Sequence, residues 1–179
     1  MVGDTPAGAV QRYLDALQLA LSCITSSVLN NFGGYHVTER PHIVTLGDSD
    51  FVRLASSARL SFAATQHYRV IESPTTTGPW KVTTVAYFYT LLDNSSHEIL
   101  AYHWHPLHRA SVTGPHLHLG YGATIGRSEL ANAHLPSGRV SLESIIRLLV
   151  TELGVNPKRH DWADALTKSE AFFESTRTW

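Results

Sequence analysis

Imidazole alternates with aromatic or aliphatic side chains in two short stretches, Tyr102-His103-Trp104-His105 and His116-Leu117-His118-Leu119. An extended backbone gives that pattern a meaning, because successive strand residues point to opposite faces of a sheet. His103 and His105 then share one face, as do His116 and His118, while Tyr102, Trp104, Leu117 and Leu119 take the other. If the two strands pair with their apolar sides toward one core, four imidazoles converge on the outside. Five of the chain's eleven histidines fall in the sixteen residues from His103 to His118. Imidazole titrates near neutral pH, donates, accepts and binds metals, so this face is where chemistry is expected.

The rest of the chain supplies the frame. Val10, Leu14, Leu17, Leu21, Ile24 and Val28 recur at alternating spacings of four and three, the stripe of an amphipathic helix from about Pro6 to Leu29. Thr5 reads as its N-cap and Pro6 as its first helical residue, with Asn30-Asn31-Phe32-Gly33-Gly34 as the stop. That stripe is expected to pack on the domain's own sheet, with a partner helix or a second copy of the chain as the alternative. From His42 the period becomes two. Strands are expected over His42–Leu46, over Leu60–Ala64 and Gln66–Glu72 (the latter two as one long bent strand), over Lys81–Leu92 and over Glu98–His105. A final strand runs from Pro115 to Gly120. Ser73–Pro79 reads as a loop and Asp93–Ser96 as a tight turn. Ser141 caps a helix over Leu142–Leu153, stopped by Gly154, and Asp161 caps another over Trp162–Glu174. The expected class is α+β: an N-terminal helix, an antiparallel sheet of about five strands and two C-terminal helices, in a single domain over 1–179.

Composition excludes several classes. The chain is 43% hydrophobic and 16% charged, without an apolar run long enough to span a bilayer. The N-terminus has neither a basic segment nor an apolar one, so no secretory signal is read and a cytoplasmic location is expected. A lone cysteine, Cys23, rules out a disulfide framework, and among Leu21, Ser22 and Ile24 it reads as an inert buried thiol. A net charge of −1 argues against a purely electrostatic nucleic-acid binder. Yet between Ile99 and Val140 the single acid is Glu129, against Arg109, Arg127, Arg139 and six histidines. A phosphate-bearing ligand suits such a region.

Two chemistries fit the histidines. In metal-free acid–base catalysis one imidazole abstracts a 2′-hydroxyl proton, another protonates the leaving oxygen, and a cation steadies the charged phosphorus. His103, His105, His116 and His118 with Arg109 supply those catalytic roles, and Tyr102 and Arg127 are further substrate-binding donors. This reading needs no cofactor. The alternative is Zn²⁺ at the histidine cluster, disfavoured by the absence of a Cys ligand, a His-Glu-x-x-His motif or a carboxylate to orient the imidazoles. His108 and His134 stand near the cluster in sequence. His36, His42, His67, His97 and His160 read as isolated. Gly120–Gly126 lacks any phosphate-loop or dinucleotide motif and reads as a turn or lid.

The order of Tyr102-His103-Trp104-His105, an arginine-bearing loop, Pro115-His116-Leu117-His118 and a helix opening Ser141-Leu142-Glu143 resembles small His-rich bacterial proteins of unknown function. More distantly, it resembles the TumE-like toxins of toxin–antitoxin pairs. The resemblance covers about residues 98–150 and leaves the N-terminal half unmatched. It implies a cytoplasmic bacterial toxin that acts on RNA and is held by an antitoxin of helix-turn-helix type; joined to the histidine chemistry above, the expectation is a metal-independent ribonuclease. The other class of function is a non-catalytic metal- or ligand-binding module that docks a partner protein, or a second copy of itself, through its N-terminal helix.

Overall fold

The computed structural model describes residues 2–47, 51–75, 78–106, 112–124, 130 and 133–174. In chain order the elements are β1 (Val2–Gly3), α1 (Pro6–Leu21), β2 (Leu29–Phe32), β3 (His42–Leu46), β4 (Val52–Arg53), β5 (Ser61–Thr75), β6 (Gly78–Leu92) and β7 (Glu98–Trp104). Then follow β8 (His116–Leu119), a 3₁₀ turn at Tyr121–Ala123, β9 (Leu135–Pro136), α2 (Leu142–Thr151) and α3 (Trp162–Glu174). The class is α+β. All nine described strands join one sheet in the order β2-β3-β5-β6-β7-β8-β9, with β1 on β6 and β4 on β5. Every pairing is antiparallel.

The sheet therefore has more strands than the five expected. β1, β4 and β9 have two residues each, too short to leave a periodic trace. β2 was hidden because Asn30 and Asn31 belong to a strand rather than to the stop of a helix. The helix stops earlier than its apolar stripe. Ser22 Oγ donates to Leu19 O at 2.7 Å, and Thr25 Oγ1 accepts from Ser27 N at 3.1 Å. Hydroxyls that satisfy nearby backbone groups compete with helix propagation. Ile24 remains buried on the turn that follows, but Val28 is exposed. The helix start is as expected: Thr5 Oγ1 accepts from Gly8 N and Pro6 opens the first turn.

β5 and β6 are fifteen-residue partners, about 50 Å long at roughly 3.3 Å per residue. They absorb most of the stretch expected as a loop at Ser73–Pro79. Between them lies a register shift: Tyr68 pairs with Thr84 but His67 with Ala86, leaving Val85 as an extra residue. A bulge of this kind moves all later side chains of its strand to the other face. In β6 it brings Tyr87, Tyr89 and Leu91 onto the same side as Val82, and all four are buried there.

That side carries the helices. Val10, Leu14, Leu17 and Leu21 of α1 are buried in one cluster with Phe62, Tyr68, Val70 and Tyr89 of the sheet, so the stripe is filled by the chain's own core. α3 packs on α1, and α2 packs on both, with Ile145, Ile146 and Leu149 of α2 buried in the same cluster. Ser141 Oγ accepts from Ser144 N at 3.1 Å and caps α2 as expected. Asp161 does something else: its carboxylate accepts from Arg159 Nε and a terminal nitrogen at 2.6 and 2.8 Å. No capping bond from that carboxylate is among the hydrogen bonds of the described residues, although the helix does begin directly after Asp161. Cys23 is fully buried, with burial raising its pKa. Among the described residues no helix is long and apolar enough to cross a membrane.

Ile146 is fully buried where α2 meets the core. Ile146→Ala is expected to lower unfolding free energy by about 2–5 kcal/mol, read from a chemical denaturation midpoint. A change under about 0.5 kcal/mol, the size of surface effects, would contradict this packing.

Candidate metal centre

β7 and β8 pair with His103 opposite His116, Ala101 opposite His118 and Tyr102 opposite Leu117. The alternation within each strand does the rest. His103, His116 and His118 lie on the face away from the helices, while Trp104 is buried in the core and Tyr102 packs against it. His105, just past the end of β7, joins the same outer face, with its ring centroid 6.2 Å from that of His103 and 5.4 Å from that of His116. The four expected histidines are therefore together.

Tyr102 is not with them. Its parity in β7 puts it on the core side beside Tyr89, so it cannot serve as a donor to whatever binds on the imidazole face. Arg109, Arg127 and His108 lie outside the described residues. His134, just before β9, is an addition: its ring centroid is 4.4 Å from that of His118 and 5.1 Å from that of His116. Its sequence neighbourhood pointed that way, but a two-residue strand gave no period from which to place it.

Phe88 of β6 forms part of the floor. It stacks on His105 at 5.5 Å with the rings nearly parallel, and lies 5.3 Å from His103. His67 approaches its other side at 5.8 Å. Ala101, opposite His118, adds no bulk to that face. Beyond β8 the chain turns close under β7, with Gly120 N donating to Ile99 O at 3.0 Å. A Cβ at Gly120 would overlap the Glu98 carbonyl, so glycine is required for β8 to end there.

His116 is the most constrained member. It is 1% exposed, and its Nδ1–H donates to Gly114 O at 2.8 Å. The carbonyl fixes the tautomer and leaves Nε2 as a lone-pair nitrogen. That atom is buried and has no hydrogen-bonding partner among the described residues. Such an orphan usually costs roughly 1–3 kcal/mol. A backbone carbonyl thus supplies the orienting contact for which the sequence offered no carboxylate; a metal-ligating histidine commonly has one or the other.

One ligand atom from each of His103, His116 and His118 lies within 4.8 Å of the others. A tetrahedral ion with bonds of about 2.0–2.1 Å holds its nitrogens roughly 3.3 Å apart. The set therefore needs ring movements of the order of 1 Å to close on an ion. Electrostatics favour neutral rings. Burial lowers the pKa of His103 to about 4, helped by neighbouring His118, His116, His105 and His134. His118 is lowered in the same way, by burial first and then by His134, His116 and His105. Neutral imidazole is the form that binds metal, so at neutral pH no proton need leave these two before an ion enters.

No protein-family model matches the chain, and neither a curated protein nor a solved structure matches it.

The depressed pKa values set the pH dependence of stability. The unfolded chain takes up a proton at His103 near 6.5, whereas the folded one resists until about 4. Above about pH 6.5 the residue contributes no pH dependence, because it is neutral in both states. As pH falls toward 4 the unfolded state gains the proton first and stability drops. In chelator-treated protein, His103→Gln is expected to make the denaturation midpoint fall less between about pH 7 and about pH 5. An equally steep fall in the variant would mean that His103 is solvated.

Proposed function

We propose that the outer face of β7 and β8 is a divalent transition-metal centre that activates water for hydrolysis. His103, His116 and His118 are the protein ligands, and a fourth position is left to water. The observation that carries this reading is His116: a buried Nε2 without a partner among the described residues, held in the ligating tautomer, beside two other imidazoles already kept neutral. Three histidines with an open position are a donor set suited to Zn²⁺ or a neighbouring first-row ion. Such an ion lowers the pKa of its bound water to about 7. His134, exposed beside His118, is placed to pass a proton between that water and solvent.

The same electrostatics narrow the metal-free scheme. Acid–base catalysis by two imidazoles requires one to be charged while the other is neutral. With His103 titrating near 4 and His118 lowered as well, these two rings suit the neutral part, base or ligand, rather than the acid. RNA remains the first substrate to try, on the TumE-like resemblance and on Arg109 and Arg127, which flank the β8 histidines in sequence.

The test uses untagged protein. One equivalent of Zn²⁺ should bind, and Co²⁺ in its place should give the intense visible absorption of a four-coordinate ion. His116→Ala should weaken binding by more than the roughly 10–100-fold that loss of an outer hydrogen bond costs a metal site. Chelator should abolish RNA cleavage and the stripped metal should restore it. Equal metal affinity in His116→Ala would defeat the assignment, and cleavage that survives chelation would return the metal-free scheme.

A further inference from the structure

A cavity of about 90 Å³ lies on the helix side of the sheet, between β6, the end of β7, the start of α2 and the α1–α3 pair. At roughly 10–15 Å³ per water it has room for about six to nine waters, or for a flat molecule of similar bulk. Tyr13, Gln66, Tyr87 and Tyr89 line it, and all four are buried. Their hydrogen bonds leave donors over. Tyr13 donates to Gln66 Oε1 at 2.5 Å, and Gln66 Nε2 donates to the Tyr89 hydroxyl at 2.7 Å. The Tyr87 hydroxyl accepts from Val140 N at 3.0 Å. A phenol has one hydrogen of its own to give. Among the described residues neither Tyr87 nor Tyr89 has an acceptor for it.

The interior of the cavity is uncharged. Ser169 Oγ stands 2.9 Å from Ala16 O and 2.6 Å from Glu143 Oε1. Its single hydrogen serves one of those contacts, so the other needs a proton on Glu143. Burial raises the pKa of that acid, which favours the same neutral form. Burial raises Tyr13 and Tyr89 as well, so both stay phenols. Neither nearby cation is free. Lys81, opposite exposed Ile71, lies on the other face of the sheet, and Arg139 has its guanidinium carbon 3.7 Å from the centre of the Trp104 ring; both have further partners. The walls are flat and apolar. Tyr87 and Tyr89 stack at 4.9 Å with an interplanar angle of 9°, and Trp104, Leu17, Val82 and Phe173 complete the surface.

A buried donor without an acceptor is costly, and an apolar cavity with a few placed polar groups is the usual form of a small-molecule site. We infer that this cavity binds a small uncharged ligand with a flat apolar body and a carbonyl oxygen. The carbonyl accepts the hydroxyl hydrogen of Tyr89, and the body lies against the Tyr87 and Trp104 rings. A carboxylate does not suit the same lining, because its charge would be buried without a counter-ion. The inference is independent of the metal centre, which lies across the thickness of the sheet.

Acetophenone is the probe, titrated into the full chain after chelator treatment, so that no ion on the imidazole face can hold its carbonyl. α-Methylstyrene replaces the carbonyl with a methylene of the same shape, and benzoate replaces it with an anion. Acetophenone is expected to bind with a Kd of about 1 mM or tighter, and each of the other two at least about fivefold more weakly. In the complex its infrared carbonyl stretch should lie below the position found in an apolar solvent, and should return toward that position in Tyr89→Phe. Nuclear Overhauser transfer from the acetophenone ring to the Trp104 indole should be seen in the wild-type protein, which tests the location even where Tyr89→Phe does not fold. The inference is overturned if acetophenone does not bind, or if α-methylstyrene or benzoate binds as well. A carbonyl stretch unshifted from the apolar solvent, or identical in folded Tyr89→Phe and the wild type, would overturn it too. So would the absence of transfer to Trp104.

Discussion

The pairing of β5 with β6 is the constraint on which both faces of the sheet depend. Two fifteen-residue strands make a long antiparallel ladder to which β3 attaches on one side and β7 on the other. The displaced Val85 sets the phase of the later half of β6. Without it, Tyr87, Tyr89 and Leu91 would turn outward and Phe88 inward. Because β7 takes its register from β6, with Phe88 opposite His103 and Tyr89 opposite Tyr102, the same bulge decides that imidazoles face out and aromatics face in. The chemistry of β7 and β8 is thus set by an irregularity eighteen positions before His103.

The imidazole face illustrates a general cost of clustering like groups. Each additional proton would sit within a few ångströms of other rings that also want one, in a partly desolvated setting, so His103 and His118 stay neutral. Neutrality converts a surface that composition alone would rate as a pH-sensitive cation into an array of lone pairs. Phe88 underneath limits ring rotation, and the Gly114 carbonyl settles the tautomer of His116. Ordering of this kind is what separates a donor set from a patch of histidines.

Much of the architecture was legible from period and punctuation. Thr5, Pro6 and Ser141 mark helix starts through cap chemistry that acts within four residues, and the hairpin turn at Asp93–Ser96 is equally local. The alternation of His103 with Trp104 and of His116 with Leu117 was sufficient to place four imidazoles on one face, because strand parity needs no tertiary information. What escaped was non-local. The Val85 bulge exists only relative to a partner strand. Gln66 in the middle of β5 looks like a solvent-facing residue until Tyr13 and Tyr89, 53 and 23 positions away, are seen to bond it. Tyr102 was grouped with the histidines by proximity in sequence, although its own parity assigns it to the core. The orienting carbonyl of Gly114 could not be read at all, since every residue has one.

β7 is also a wall shared by two rooms. Trp104 lines the cavity on one side, and its chain neighbours His103 and His105 form the imidazole face on the other. An insertion or deletion of one residue in this strand would exchange the two surfaces, driving imidazoles into the core and a tryptophan into solvent. Point substitutions can tune either surface separately, but a change of length strikes both at once. In descent, β7 should therefore behave as a length-locked segment, varying in side chains while gaps accumulate in the connections on either side.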